Sequence, residues 1–198
     1  MHEDTLAALI GSRICHDLVS PLGAIGNGVE LLGMTGASSG PEMDLITQSV
    51  QHANAKLSFF RIVFGAHGEA LIKPADVRKI IADYTQGTKN DVTWAIDTPL
   101  TRSQSRLALL GVLCLETALP FGGMIEVRLS GDVFCLYAKS ERLVWDDALW
   151  KRLYTRDVTG LSAAQVQFGL LAKGLPELGR HATIVGNETE RVLRLAPA

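Results

Sequence analysis

Apolar residues recur at Leu6, Leu9/Ile10, Ile14, Leu18, Leu22, Ile25, Val29 and Leu32. This is the spacing of one helix face, and it holds for roughly eight turns where an average helix runs about 11 residues. Asp4 is placed to act as the N-cap. The run gives way to Gly33-Met34-Thr35-Gly36-Ala37-Ser38-Ser39-Gly40, a loop by composition. Pro41 then suits a first helical turn, with Glu42 and Asp44 near its positive end. Leu45/Ile46, Ser49/Val50, Ala53, Leu57, Phe60 and Phe64 carry that second helix to about Ala66. Two long antiparallel helices on a short loop cannot bury both apolar faces by themselves. The chain is therefore predicted to pair with a second copy through residues 4–66, as a homodimeric four-helix bundle.

The pattern changes near residue 70, which divides the chain into a helical hairpin (1–70) and a second domain (71–198). A short helix is predicted around Asp76–Tyr84, a strand at Val92–Ile96 and a helix at Ser103–Leu119. Strands at Met124–Ser130 and Val133–Ala138 meet at the turn Gly131-Asp132. Helices at Asp146–Tyr154 and Ser162–Lys173 precede a closing pair, Ala182–Val185 and Arg191–Leu195. The order reads as α+β: a two-layer domain with helices on one face of a mainly antiparallel sheet.

Composition narrows the function classes. With 19 Lys+Arg against 21 Asp+Glu, the net charge of -2 carries no basic excess for nucleic acid or an anionic membrane surface. Apolar runs such as Leu107–Leu115 fall short of the ~20 residues of a spanning helix, and no secretory signal is visible. Cys15, Cys114 and Cys135 are odd in number and lack C-x-x-C spacing, so they read as reduced thiols of a cytoplasmic protein.

Of His2, His16, His52, His67 and His181, none shows metal-ligand spacing with another histidine or a cysteine. The string Gly23-Ala24-Ile25-Gly26-Asn27-Gly28 lies inside a helical pattern with no strand before it. Its glycines suit close approach of another backbone better than a phosphate loop. His16 differs from the other histidines. It stands about 200° around the helix from both Ile14 and Leu18, off the apolar stripe and among Ser12, Arg13, Val19, Ser20 and Gly23. Small neighbours leave room for another protein to approach. Pro21, five residues on, costs ~3 kcal/mol in a helix interior and asks for a reason.

His16-Asp17-Leu18-Val19-Ser20-Pro21-Leu22 resembles the H-box of dimeric histidine kinases, in which a proline bends the helix next to the phosphorylated histidine. Pro120-Phe121-Gly122-Gly123-Met124-Ile125-Glu126-Val127 resembles the stretch that closes a kinase N-box. Counting back, Cys114 occupies the position of that box's Mg²⁺-binding asparagine, and a thiol is a poor ligand for a hard ion. Residues 132–159 contain no glycine, so the kinase D-x-G-x-G nucleotide motif cannot fall there. Only Thr159-Gly160-Leu161-Ser162 is similar to the tail of the glycine-rich lid.

A phosphorylatable histidine beside a kinase-like domain without its nucleotide elements resembles the ChpT family of alphaproteobacterial phosphorelays. Ser12 to Pro21 and Ala24 to Leu32 carry that likeness most specifically. The resemblance implies a degenerate histidine-kinase-ATPase-like second domain and a phosphotransferase that binds no ATP. It would shuttle a phosphoryl group between the receiver domain of a hybrid histidine kinase and downstream response regulators through phospho-His16. No cofactor is expected on this chain, the Mg²⁺ being supplied by the partner receiver. Phosphoryl transfer asks mostly for positioning and charge stabilisation. In this scheme Asp17 accepts a hydrogen bond from the ring or receives its proton, and Arg13, one turn earlier, neutralises phosphoryl oxygens. Ser20, Val19 and Asn27 contribute to phosphoryl contact or receiver docking. Three rivals predict different outcomes: a sensor kinase would bind ATP, a non-catalytic dimeric adaptor would keep its effect without His16, and a metal or redox protein would need more than Cys15 beside His16.

Overall fold

A computed structural model of the protein describes residues 2–35 and 40–198. Helix α1 spans His2–Thr35 and α2 spans Pro41–Val63. Because α1 starts at His2, Asp4 lies within its first turn instead of capping it. The predicted loop begins later than Gly33, since helical hydrogen bonding persists through Thr35, and its residues 36–39 lie outside the described residues. Pro41 occupies the first turn of α2, behind Gly40 at φ +138°, a conformation that glycine adopts readily. α2 stops three residues short of Ala66. A Cβ at Gly65 would lie 2.2 Å from the Arg61 carbonyl oxygen, so the chain leaves the helix where only glycine fits.

The two helices pack through small residues. A Cβ on Gly28 would come within 2.5 Å of Ile46 Cγ1, and Ser49 and Ala53 are buried. Gly23 and Gly26 have open space, so of these three glycines only Gly28 serves close approach within the chain. The hairpin leaves apolar side chains outside. Leu22 and Val29 are 58% and 56% exposed, and Met43, Val50 and Leu57 form an exposed heptad stripe along α2.

The second layer follows in the order β1 (Leu71–Ile72), α3 (Pro74–Thr85), β2 (Asn90–Trp94), β3 (Leu100–Thr101) and α4 (Arg102–Glu116). β4 (Gly123–Ser130), β5 (Val133–Lys139), α5 (Asp147–Thr155), α6 (Val166–Glu177), β6 (Arg180–Gly186) and β7 (Glu190–Pro197) complete it. The main sheet runs β2-β4-β5-β7-β6. β2 joins parallel to β4, Val92 opposite Ile125, and the other pairs are antiparallel. The α+β two-layer reading holds. The β1–β3 pair, two residues each, is too short to leave a periodic trace in sequence.

α4 is the central helix. Thr101 and Gln104 form a capping box at its start, and nearly every residue from Ser103 to Leu115 is buried. Gly111 lets it lie close to the sheet, since a Cβ there would meet Leu136 Cδ2 at 2.7 Å. The apolar cluster also takes in Phe59, Phe60, Ile62 and Val63 of α2. The base of the hairpin and the α/β layer therefore share one core. Among the described residues, no helix is long and apolar enough to cross a membrane.

Candidate functional site

His16 projects from α1 with its side chain 86% exposed. Its Nδ1 lies 3.2 Å from Asp17 Oδ1. Asp17 Oδ2 accepts a 2.7 Å hydrogen bond from Arg13 Nε, and Arg13 Nη1 donates to the carbonyl of Ala164 at 3.1 Å. Ala164 belongs to the short 3₁₀ turn Ala163–Gln165 that precedes α6. A line of polar contacts thus runs from the α/β layer through Arg13 and Asp17 to the imidazole. An ionised carboxylate only accepts, so the ring nitrogen facing Asp17 carries the proton and Nε2 keeps the lone pair. That tautomer is assigned from the hydrogen bonding.

Pro21 has no N–H, so the Asp17 carbonyl four residues earlier loses its helical partner. Lys56 of α2 takes that place: its Nζ donates to the Asp17 oxygen at 3.0 Å. The proline is thereby accommodated, Asp17 is tied to α2, and a positive charge is held beside the residue next to His16.

Behind Arg13 and Asp17 lies a part-buried pair in which the Tyr84 hydroxyl donates to Glu116 Oε2 at 3.1 Å. The Tyr84 ring stacks on Phe59, with centroids 3.9 Å apart. Burial pushes the Glu116 carboxyl from 4.5 up to about 7; the Tyr84 hydrogen bond and the Arg13 charge oppose the rise and Asp17 adds to it. Burial, followed by the Glu116 charge, raises the Tyr84 hydroxyl well above its ordinary range.

The structure thus brings His16, Asp17 and Arg13 together, with the Arg13 guanidinium engaged by Asp17 and Ala164. Val19, Ser20 and Asn27 are exposed on the same helix. Asn27 shares the His16 face but sits about 16 Å further along the axis by helical rise, too far to touch the ring. Cys114 is fully buried, and burial raises its thiol well above its ordinary value.

The family model described as "Histidine phosphotransferase C-terminal domain" matches residues 74–190. The chain belongs to that family. This histidine phosphotransferase-family chain is 42% identical over 129 residues to "Protein phosphotransferase ChpT" of Brucella abortus (strain 2308). The match covers 64% of the chain and 61% of the relative, so the chain spans about three-fifths of that relative's length. The solved structure of a bacterial phosphotransferase aligns over 97% of this chain and 96% of its own, at TM-score 0.82 and 32% identity.

Sequence reasoning missed Lys56, the Tyr84–Glu116 pair and the Ala164 carbonyl. Lys56 had a signal: a proline inside a helix orphans a carbonyl, and a donor is then expected on the neighbouring helix. The other two depend on contacts between elements far apart in sequence and left none.

Proposed function

We propose that this chain is a phosphorelay histidine phosphotransferase acting through His16. The observation that carries the reading is the exposed imidazole whose Nδ1 faces Asp17 and whose Nε2 is open to solvent. In the proposed step, the Nε2 lone pair attacks the phosphorus of a receiver's phosphoaspartate. The P–O bond to the aspartate breaks, its carboxylate leaves, and the Nδ1 proton stays on the ring against Asp17. In the second half, an acceptor receiver's carboxylate attacks phospho-His16 and the N–P bond breaks. Asp17 and Arg13 act as positioning residues that hold the ring, while Val19 and Ser20 offer a small-residue surface for the receiver. The receiver of a hybrid histidine kinase as donor and response regulators as acceptors fit this chemistry.

Mg²⁺ belongs to the receiver in this reading. The position equivalent to a kinase's Mg²⁺ ligand here is a thiol sealed in the core, which supports transfer without ATP. The exposed stripe along Met43, Val50 and Leu57, with Leu22 and Val29, supports a homodimer closing a four-helix bundle. Three free cysteines suit the cytoplasm.

The test is transfer of acid-labile phosphate from a labelled, phosphorylated receiver domain, with His16→Ala and an ATP-only control alongside. Label on wild type alone, and none from ATP directly, is expected. Label from ATP without a donor makes the chain a kinase. No label from a panel of receivers that nevertheless bind leaves a docking adaptor.

A further inference from the structure

At the junction between the hairpin and the α/β layer lies a cavity of about 300 Å³, away from His16. Leu6 and Ile10 of α1 form one wall, His67 of the connecting segment another, and Arg106 of α4 and Gly174 and Glu177 of α6 the rest. Arg106 is 6% exposed, yet among the described residues it has no carboxylate within 4 Å. Its Nε has no hydrogen-bond partner, and its Nη1 meets only a histidine nitrogen, His67 Nε2 at 3.2 Å. A buried guanidinium without a counter-charge is costly. Burial lowers its pKa, with the more distant Glu177 charge alone opposing that.

Gly174 sits inside α6, where glycine costs about 1 kcal/mol against alanine. A Cβ there would come 3.3 Å from Leu107 Cδ1, so the glycine serves the close approach of α6 to α4, and 3.6 Å from Arg106 Nη1, an ordinary contact. The same His67 Nε2 also lies 3.4 Å from Glu177 Oε2. Arg106 only donates and an ionised Glu177 only accepts, so one ring nitrogen cannot satisfy both. A third group on Arg106 resolves the conflict. With an anion on the terminal guanidinium nitrogens, His67 Nε2 is released to carry a proton toward Glu177. Lys173 lines the same cavity, so a negative guest would meet two cationic side chains there.

We propose that this junction cavity is a binding site for a small phosphate-class oxyanion, held by Arg106, with His67 turning its Nε2 to Glu177 when the anion binds. The site touches α1, the connecting segment, α4 and α6, so occupancy would brace the hairpin against the α/β layer. It stands whether or not His16 transfers phosphate.

The test is a titration of ¹⁵N-histidine-labelled protein with inorganic phosphate at fixed pH, with sodium chloride holding ionic strength constant. His67 ring signals are assigned by their loss in His67→Gln. A saturable change at millimolar phosphate is expected, with His67 Nε2 moving from bare acceptor to N–H, while Arg106→Gln gives none. Should Arg106→Gln fail to fold, Lys173→Gln at an exposed position is expected to weaken the response about three- to tenfold by loss of one nearby charge. No saturable change in wild type, or an undiminished response in the folded Arg variant or in Lys173→Gln, overturns the proposal.

Discussion

The bond between Lys56 and the Asp17 carbonyl makes a sharp double-mutant test. Lys56→Met keeps an unbranched apolar stem on α2 and removes only the donor, leaving the Asp17 oxygen unpaired at a part-buried helix contact. A hydrogen bond from a charged donor contributes about 1.5–3 kcal/mol, and an orphaned acceptor forfeits it. Lys56→Met should therefore cost about 2 kcal/mol. Pro21→Ala restores a backbone N–H at the position whose amide should reach that same oxygen. In the Pro21→Ala background the lysine becomes dispensable, and Lys56→Met should cost about 0.5 kcal/mol or less. The expected coupling, about 1.5 kcal/mol, stands clear of the 0.3–0.5 kcal/mol within which independent sites add. The four proteins would be unfolded in urea at one fixed protein concentration, because the proposed homodimer would make apparent stability depend on it. Additive costs for the two substitutions would refute the claim that Lys56 compensates for the proline.

Three other outcomes follow from the structure. Glu116 releases its proton near 4.5 when unfolded and near about 7 when folded, so between those values the folded state binds more protons. Its contribution is full below about pH 4.5 and is lost as pH rises through about 7, by about 3 kcal/mol. Glu116→Gln should gain stability relative to wild type by up to that amount at pH 8 and little at pH 4, and urea midpoints that differ equally at both would contradict it. Gly28→Ala meets Ile46 at 2.5 Å and should cost about 1–3 kcal/mol, whereas Gly23→Ala, on the His16 face, enters open space and should gain about 0.5–1 kcal/mol; thermal melts separate the two. Trp150 is buried, stacks on Trp145 at 4.2 Å and meets Phe168 edge-on at 5.1 Å. Trp150→Ala should cost about 3–5 kcal/mol in denaturant unfolding, and a loss under about 1 kcal/mol would show that the site collapses to fill the space.

Much of the fold was legible in the residues. The long period-3.6 run from Leu6 to Leu32, Pro41 at a helix start and the Gly131-Asp132 turn each encode local geometry, and the elements appear where those signals put them. Ends shifted by a few residues because hydrogen bonding at termini, as at His2–Asp4 and Arg102–Ser103, is set by neighbours as much as by propensity. The β1–β3 pair was invisible because two residues carry no period. His16 was legible for a similar reason: its place off the apolar stripe follows from 100° per residue alone.

The sequence by itself determined two long helices, the exposed position of His16 and the small-residue surface around it. These are local properties, written in spacing and side-chain type. Only the tertiary structure decided that Arg13 reaches the Ala164 carbonyl 151 residues away, that Lys56 answers Pro21 across the hairpin, and that Tyr84 and Glu116 close together behind them. It also decided that Arg106, His67 and Glu177 share one cavity. Such contacts join residues tens to hundreds of positions apart, and their partners are chosen by how the helices dock on a common core. No periodicity records that choice, because the packing that makes it exists only once the chain has folded.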